Sequence, residues 1–320
     1  MPVAKAVQTL EVFAEHERVI DAVCDRWRGL SYGPQRRQSA ADAGALKAIV
    51  KAMRTHPDAP SVQELCCLAI GNIVAGVDEP GVARKQLAAD SGALSAICNA
   101  MQAHVDAGPV QEYGCFALGN ICYAADDAGL RRKQAAADAC AVSAIIAGMK
   151  KHSGDAAVAE YGCFAIGNIC RAVGNKESDT DAERALAEEG KARKEAAVDA
   201  GALGVIVNAM RFFAKEQGVQ QWGARALSNI TYGSNEWREK ARQAGARPQW
   251  LVGMAEAMEE IERQRDGAGS SKTERLAIRA PQPKASSTAR TPPRRVPKVA
   301  PKQSSIGGMR PLPSAGALWR

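Results

Sequence analysis

With 320 residues, 46% hydrophobic and 24% charged, the chain can bury a core and is neither collagenous nor wholly disordered. Five Phe, five Tyr and five Trp are too few for an aromatic-rich sheet, so packing must come from Ala, Leu, Ile and Val, which favours close helices. The net charge of +7 is uneven: residues 267–320 hold 11 basic residues against the single Glu274, or +10, while residues 1–266 hold 31 basic against 34 acidic, or −3.

The chain shows no run of the roughly 20 uncharged apolar residues that a membrane span needs. Residues 1–20, broken by Lys5, Glu11, Glu15, Glu17 and Arg18, do not read as a signal peptide. Nine cysteines, an odd number lying inside helical patterns, argue for a reducing compartment rather than a disulfide framework. A cytoplasmic or nuclear protein is expected.

In chain order, residues 1–41 read as a degenerate half-repeat or cap, with 27–33 resembling the end of a helix before Arg36-Arg37-Gln38 opens a new unit. Residues 42–265 then repeat. Asp42, Gly44-Ala45-Leu46, Met53, His56, Val62-Gln63-Glu64 and Gly71-Asn72-Ile73 return as Asp90, Gly92-Ala93-Leu94, Met101, His104, Val110-Gln111-Glu112 and Gly119-Asn120-Ile121. The third copy carries Asp138, Ala141-Val142, Met149, His152, Val158, Glu160 and Gly167-Asn168-Ile169; the fourth carries Asp199, Gly201-Ala202-Leu203, Met210, Val219-Gln220-Gln221 and Ser228-Asn229-Ile230. Such a period predicts stacked repeats.

Each unit reads as three helices. The first is short and basic, as in Arg131-Arg132-Lys133-Gln134, and stops at a glycine suited to a left-handed turn, which Cys140 replaces in the third copy. The second has one apolar face at i, i+3, i+4, i+7 spacing, such as Leu46, Ile49, Val50 and Met53. The third ends in the asparagine motif. Residues 174–190 interrupt the series as an insertion carrying Glu177, Asp179, Asp181, Glu183, Glu188 and Glu189, and read as an acidic loop. Residues 243–258, with Trp250, Leu251, Met254 and Met258, restart the pattern and read as a capping helix.

At about 100° per residue, the positions eight, seven and four before each asparagine fall nearly opposite the apolar face of the third helix. They hold Glu64, Leu65 and Leu68 with Asn72; Glu112, Tyr113 and Phe116 with Asn120; Glu160, Tyr161 and Phe164 with Asn168; and Gln221, Trp222 and Arg225 with Asn229. A face placed away from the core that carries five of the 15 aromatics suggests a partner site. Asparagine offers a donor and an acceptor to an extended peptide backbone. The glutamate column favours a cationic segment, or equally serves the helix dipole at a solvated helix start. The alternative, in which these aromatics and asparagines pack between adjacent third helices, stays open. Gly71, Gly119 and Gly167, inside a helix at a cost of up to about 1 kcal/mol each, point to close approach of neighbours.

The three-helix unit, with its Ala-Gly-Ala turn and its Ala-Leu-Gly-Asn-Ile or Ala-Leu-Ser-Asn-Ile ending, resembles the armadillo repeat over residues 27–263, and is similar to the armadillo segment of leucine-rich-repeat kinases and related adaptors. The resemblance implies an all-α, right-handed α-solenoid of about four full repeats with degenerate caps. It also implies a noncatalytic scaffold that holds an extended peptide in a concave groove of third helices, a peptide that the glutamate column would favour as basic. At the place where importin-like relatives carry Trp four residues before the asparagine, this chain has Leu68, Phe116, Phe164 and Arg225.

Other signals are weaker. Cys115 with Cys122 and Cys163 with Cys170 occupy repeat-locked positions and read as small core side chains rather than zinc ligands. His56, His104 and His152 read as caps of the second helix. Gly29-Leu30-Ser31-Tyr32-Gly33 spells a nucleophile elbow without its strand, and no phosphate loop is present. No enzyme, cofactor or metal is expected, and a monomer is. Residues 266–320, rich in Pro, Ser, Lys and Arg, read as a disordered tail that is either a spacer or a polybasic anchor for nucleic acid or acidic membrane, with Thr291 as a weak phosphorylation site.

Overall fold

The computed structural model of the chain describes residues 3–13, 15–30, 33–123, 126–171 and 181–251, all within Met1–Ala257, the first of two units into which the chain divides. The expected tail at 266–320, Thr291, the first part of the insertion at 174–180, and Met254 and Met258 lie outside the described residues.

The described residues are all-helical, without a strand. Three helices open the chain: α1 (Val3–Val12), α2 (Glu17–Leu30) and α3 (Pro34–Asp42). Then come α4 (Ala45–Thr55), α5 (Pro60–Ile73), α6 (Glu79–Asp90), α7 (Ala93–Ala103), α8 (Gly108–Ile121), α9 (Asp127–Asp138), α10 (Ala141–Lys151) and α11 (Ala156–Ile169). The described part closes with α12 (Asp181–Asp199), α13 (Ala202–Phe212), α14 (Gln217–Thr231), α15 (Asn235–Gln243) and a 3-10 turn at Pro248–Trp250.

Helices of the same rank pack in rows. The third-rank helices α5, α8, α11 and α14 each lie against the next, and α2 packs on α5 at the start of that row. The second-rank helices α4, α7, α10 and α13 form a parallel series, and α3, α6, α9 and α12 a third. Between the first and second helices of each unit the backbone turns through a left-handed residue: Gly44, Gly92 and Gly201 have φ of 82°, 80° and 88°, and Cys140 has 59°. Cys140 thus holds a conformation that costs an L-residue roughly 1–2 kcal/mol.

The core is aliphatic, as the composition requires. Leu46, Ile49, Val62, Ile70, Ile97, Val110, Leu118, Ile145, Ile166 and Ile206 are buried. Every cysteine is unpaired, and all but Cys140 are buried, in keeping with their reading as core side chains. Trp250 and Leu251 are also buried.

One expectation needs correction. The part of the insertion at 181–190 is not loop but the N-terminal half of α12, which runs 19 residues where α6 and α9 run 12. Ala182, Ala185, Leu186 and Ala187 are good helix formers, and their propensity outweighs the acidic content that had argued for a loop.

The joints between repeats are made of polar side chains that hold helix-terminal carbonyls, the groups a helix cannot satisfy by itself. Arg84 is buried, donating from Nε to the Ile73 carbonyl at 2.8 Å and from a guanidinium nitrogen to Ala75 at 2.9 Å. Arg132 donates to Ile121 at 3.1 Å. Lys133 reaches the Arg171 carbonyl at 3.1 Å, and Lys194 the Tyr232 carbonyl at 3.2 Å. Cations are favoured at this negative end of the helix dipole. Arginines also extend sideways: Arg84, Arg132 and Arg193 donate to the side-chain oxygens of Gln38, Gln86 and Gln134 in the preceding unit, and each glutamine donates on to Asp42, Asp90 or Asp138. An Asp-Gln-Arg relay therefore crosses three successive joints. The basic first helix is explained by these burials, not by a solvated face.

Candidate functional site

The third-helix row is the candidate site, and it begins with the asparagines. Asn120 donates from Nδ2 to the Gly71 carbonyl at 3.3 Å, Asn168 to Gly119 at 3.1 Å, and Asn229 to Gly167 at 2.8 Å. Each thus satisfies a carbonyl in the last turn of the preceding third helix. Asn72, at the start of the series, is buried and its Nδ2 has no partner among the described residues.

The aromatics follow the same direction. A Cβ placed on Gly119 would sit 2.3 Å from a ring carbon of Phe164, and one on Gly71 would sit 2.5 Å from Phe116, so each ring presses against the glycine of the helix before it. Phe116 meets Tyr161 edge-on with centroids 5.3 Å apart, and Phe164 meets Trp222 at 4.6 Å. Arg225 stacks over the indole of Trp222 at 5.5 Å.

This corrects the expectation that the face points away from any core. Leu68, Asn72, Glu112, Tyr113, Phe116, Asn120, Tyr161, Phe164, Asn168 and Trp222 are all buried; Glu64, Leu65, Glu160, Arg225 and Asn229 are half-buried, and Gln221 is exposed. The physical reason is stacking. A residue opposite its own repeat's apolar face is still flanked by third helices on either side, and the rings close that space. The glycines, read as sites of close approach, are where this occurs.

Two of the side chains that stay partly accessible, Glu64 and Glu160, are carboxylates. The Glu160 carboxylate lies over Gly218 in the first turn of α14, a placement the positive end of that helix favours. Glu112 occupies the corresponding place at the start of α11, but there Asp155 already accepts from the Ala157 and Val158 amides at 2.8 and 3.2 Å. Glu112 is only 8% exposed, and its Oε1 has no partner among the described residues. Burial, and then the negative charges of Asp155, Glu64 and Glu160, push its pKa up to about 7. Burial first, then Glu160 and Glu112, likewise raises the Tyr161 hydroxyl. Glu64, Glu112 and Glu160 therefore form one electrostatically connected seam whose centre is short of positive charge.

Two further side chains were only partly legible. The glutamine of Val-Gln-Glu clamps the end of the second helix: Gln63 donates to Met53 and His56 carbonyls at 2.9 and 2.7 Å, Gln111 to Met101 and His104 at 2.9 Å each, and Gln220 to Met210 and Phe213 at 2.7 and 3.1 Å. The histidines stand at the C-caps, as expected, yet their rings serve the joint instead. His104 Nε2 meets the Pro57 carbonyl of the preceding unit at 2.7 Å and His152 meets Val105 at 2.8 Å. No group of His, Cys, Asp and Glu placed to hold a metal occurs among the described residues, and none of their helices is long and apolar enough to cross a membrane.

No protein-family model matches the chain, and no curated protein matches it.

Proposed function

We propose that the chain is an armadillo-type α-solenoid acting as a noncatalytic scaffold, and that it holds an extended, basic protein segment along its row of third helices. The observation that carries this reading is the carboxylate seam of Glu64, Glu112 and Glu160, with a central oxygen, Glu112 Oε1, that has no partner among the described residues. A buried carboxyl among like charges is costly unless a cation joins it, and an extended segment offers alternate side chains at a spacing stacked helices can match. The helix rows and the repeated motif support the armadillo form. In this reading the contacts belong to Glu64, Glu112, Glu160 and the half-buried Leu65, Arg225 and Asn229. Asn120, Asn168 and the rings give the row its rigidity.

The test is fluorescence anisotropy with a labelled decapeptide of alternating Lys and Ala. Glu64→Gln with Glu160→Gln should weaken binding about tenfold, the loss expected for two partly exposed charge pairs. A control pair of equal charge change on the first helices, Glu79→Gln with Asp127→Asn, should stay within about twofold. Equal losses in both pairs would mean that only net charge is sensed. The alternative of a nucleic-acid or acidic-membrane binder acting through residues 267–320 predicts that binding to those ligands vanishes with their removal and falls steeply with salt. Peptide binding that survives the removal belongs to the helical body.

A further inference from the structure

The glutamine clamp is broken once. At the position of Gln63, Gln111 and Gln220 the third repeat has Ala159, whose methyl group has no donor to offer the Met149 and His152 carbonyls at the end of α10; the His152 carbonyl accepts from the Asp155 amide at 2.9 Å. The turn there is the same as in the other repeats: His152 has φ −108° and ψ 43°, against −117° and 46° for His104 and −98° and 47° for Phe213. The two carbonyls are therefore presented as they are where a carboxamide bridges them.

A groove opens at this gap. It runs between α10, α11 and α13, has a volume of about 330 Å³, and is lined by Met149, Lys150, Ser153, Ala159, Asn208 and Phe212 among others. The equivalent groove between α4, α5 and α7 includes Gln63 in its lining and measures about 240 Å³. The α10–α13 groove is the larger even though Phe212 stands where the first has Ala103. Phe212 is 71% exposed, an aromatic wall left open to solvent and braced edge-on by Phe213 at 4.8 Å.

We infer that the α10–α13 groove is a docking pocket for a primary carboxamide on a short aliphatic stem, a glutamine-type side chain of a protein partner, which takes the place of the missing clamp. The amide nitrogen donates to the Met149 and His152 carbonyls as Gln63, Gln111 and Gln220 do in their own repeats. The stem packs against Phe212 and Met149. Lys150 at the rim disfavours an ammonium in the same place and offers a donor to the carboxamide oxygen. The site lies in the second-helix row and is independent of the acidic seam.

The test uses the full chain labelled with ¹³C-methyl methionine, the Met149 signal being assigned by Met149→Leu. N-acetylglutamine N-methylamide, whose only primary carboxamide is the side chain's, should shift that signal saturably with a dissociation constant in the millimolar range, as befits a probe of about 14 heavy atoms. The N-methylamides of N-acetylglutamate and N-acetylnorvaline, which have no primary carboxamide to bridge two carbonyls, should bind about five- to tenfold more weakly. Ala159→Gln should abolish the shift and raise the melting temperature by restoring the clamp; Ala159→Met, which fills the gap without a donor, should abolish the shift as well. No saturable shift up to about 20 mM, equal affinity for all three probes, or retained binding in both filled variants would overturn the assignment.

Discussion

Glu112→Gln should make the protein more stable, and by an amount that depends on pH. Raising a carboxyl from its ordinary 4.5 to about 7 means that ionising it inside the fold is costly, and at 1.36 kcal/mol per pH unit the full cost approaches about 3 kcal/mol. Water at the half-buried Glu64 and Glu160 screens part of the repulsion, leaving about 2–3 kcal/mol. The sign follows from proton counting. Between about pH 4.5 and 7 the folded chain holds a proton at Glu112 that the unfolded chain has lost, so stability falls as pH rises through that window; the cost is absent below it and complete above it. Glutamine keeps the shape of the protonated acid and never ionises. Urea unfolding followed by tryptophan fluorescence should therefore place the variant about 2–3 kcal/mol above the wild type at pH 8, and close to it at pH 5. A difference that is the same at both pH values, or a wild type that is the more stable at pH 8, would refute the argument.

The joints yield three more expectations, all readable by urea unfolding. Asn168→Ala removes the donor to the buried Gly119 carbonyl and should cost about 1–3 kcal/mol, while leaving affinity for the basic decapeptide within about twofold, because the asparagine serves the row and not the ligand. Gly119→Ala forces a methyl group into the Phe164 ring and should cost about 1–3 kcal/mol, whereas a helix in isolation would gain from the same change. Cys140→Gly relieves a left-handed backbone at φ 59° and should stabilise by about 1 kcal/mol.

The three-helix unit was legible because it is written four times. The apolar stripe of Leu46, Ile49, Val50 and Met53 defines a helix, its recurrence fixes the register, and the glycines at 44, 92 and 201 mark the turns where φ is positive. The direction of the third-helix face was not legible from one helix, since periodicity locates a helix's own core and is blind to neighbours stacked on its flanks. Gly71 and Gly119 were the available signal: they implied close approach, and the ring that fills each gap is Phe116 or Phe164 of the next repeat. Burial of Arg84, Lys85, Arg132 and Lys133 could not be read from composition, which counts such residues as surface. Their partners are backbone carbonyls at the ends of third helices, and only the fold brings those within reach. Of the seam, Glu64, Glu112 and Glu160 were visible as a column. The crowding of Glu112 was not, because Asp155 joins it through the stacking of α8 on α11.

The most direct test of a cation-seeking seam is the titration of Glu112 itself, by ¹³C NMR of its side-chain carboxyl, with and without saturating basic decapeptide. Alone, the carboxyl should titrate near 7. An ammonium docked beside it favours the ionised form and should lower that midpoint by about one unit or more. A midpoint that the bound peptide leaves unchanged would contradict the account.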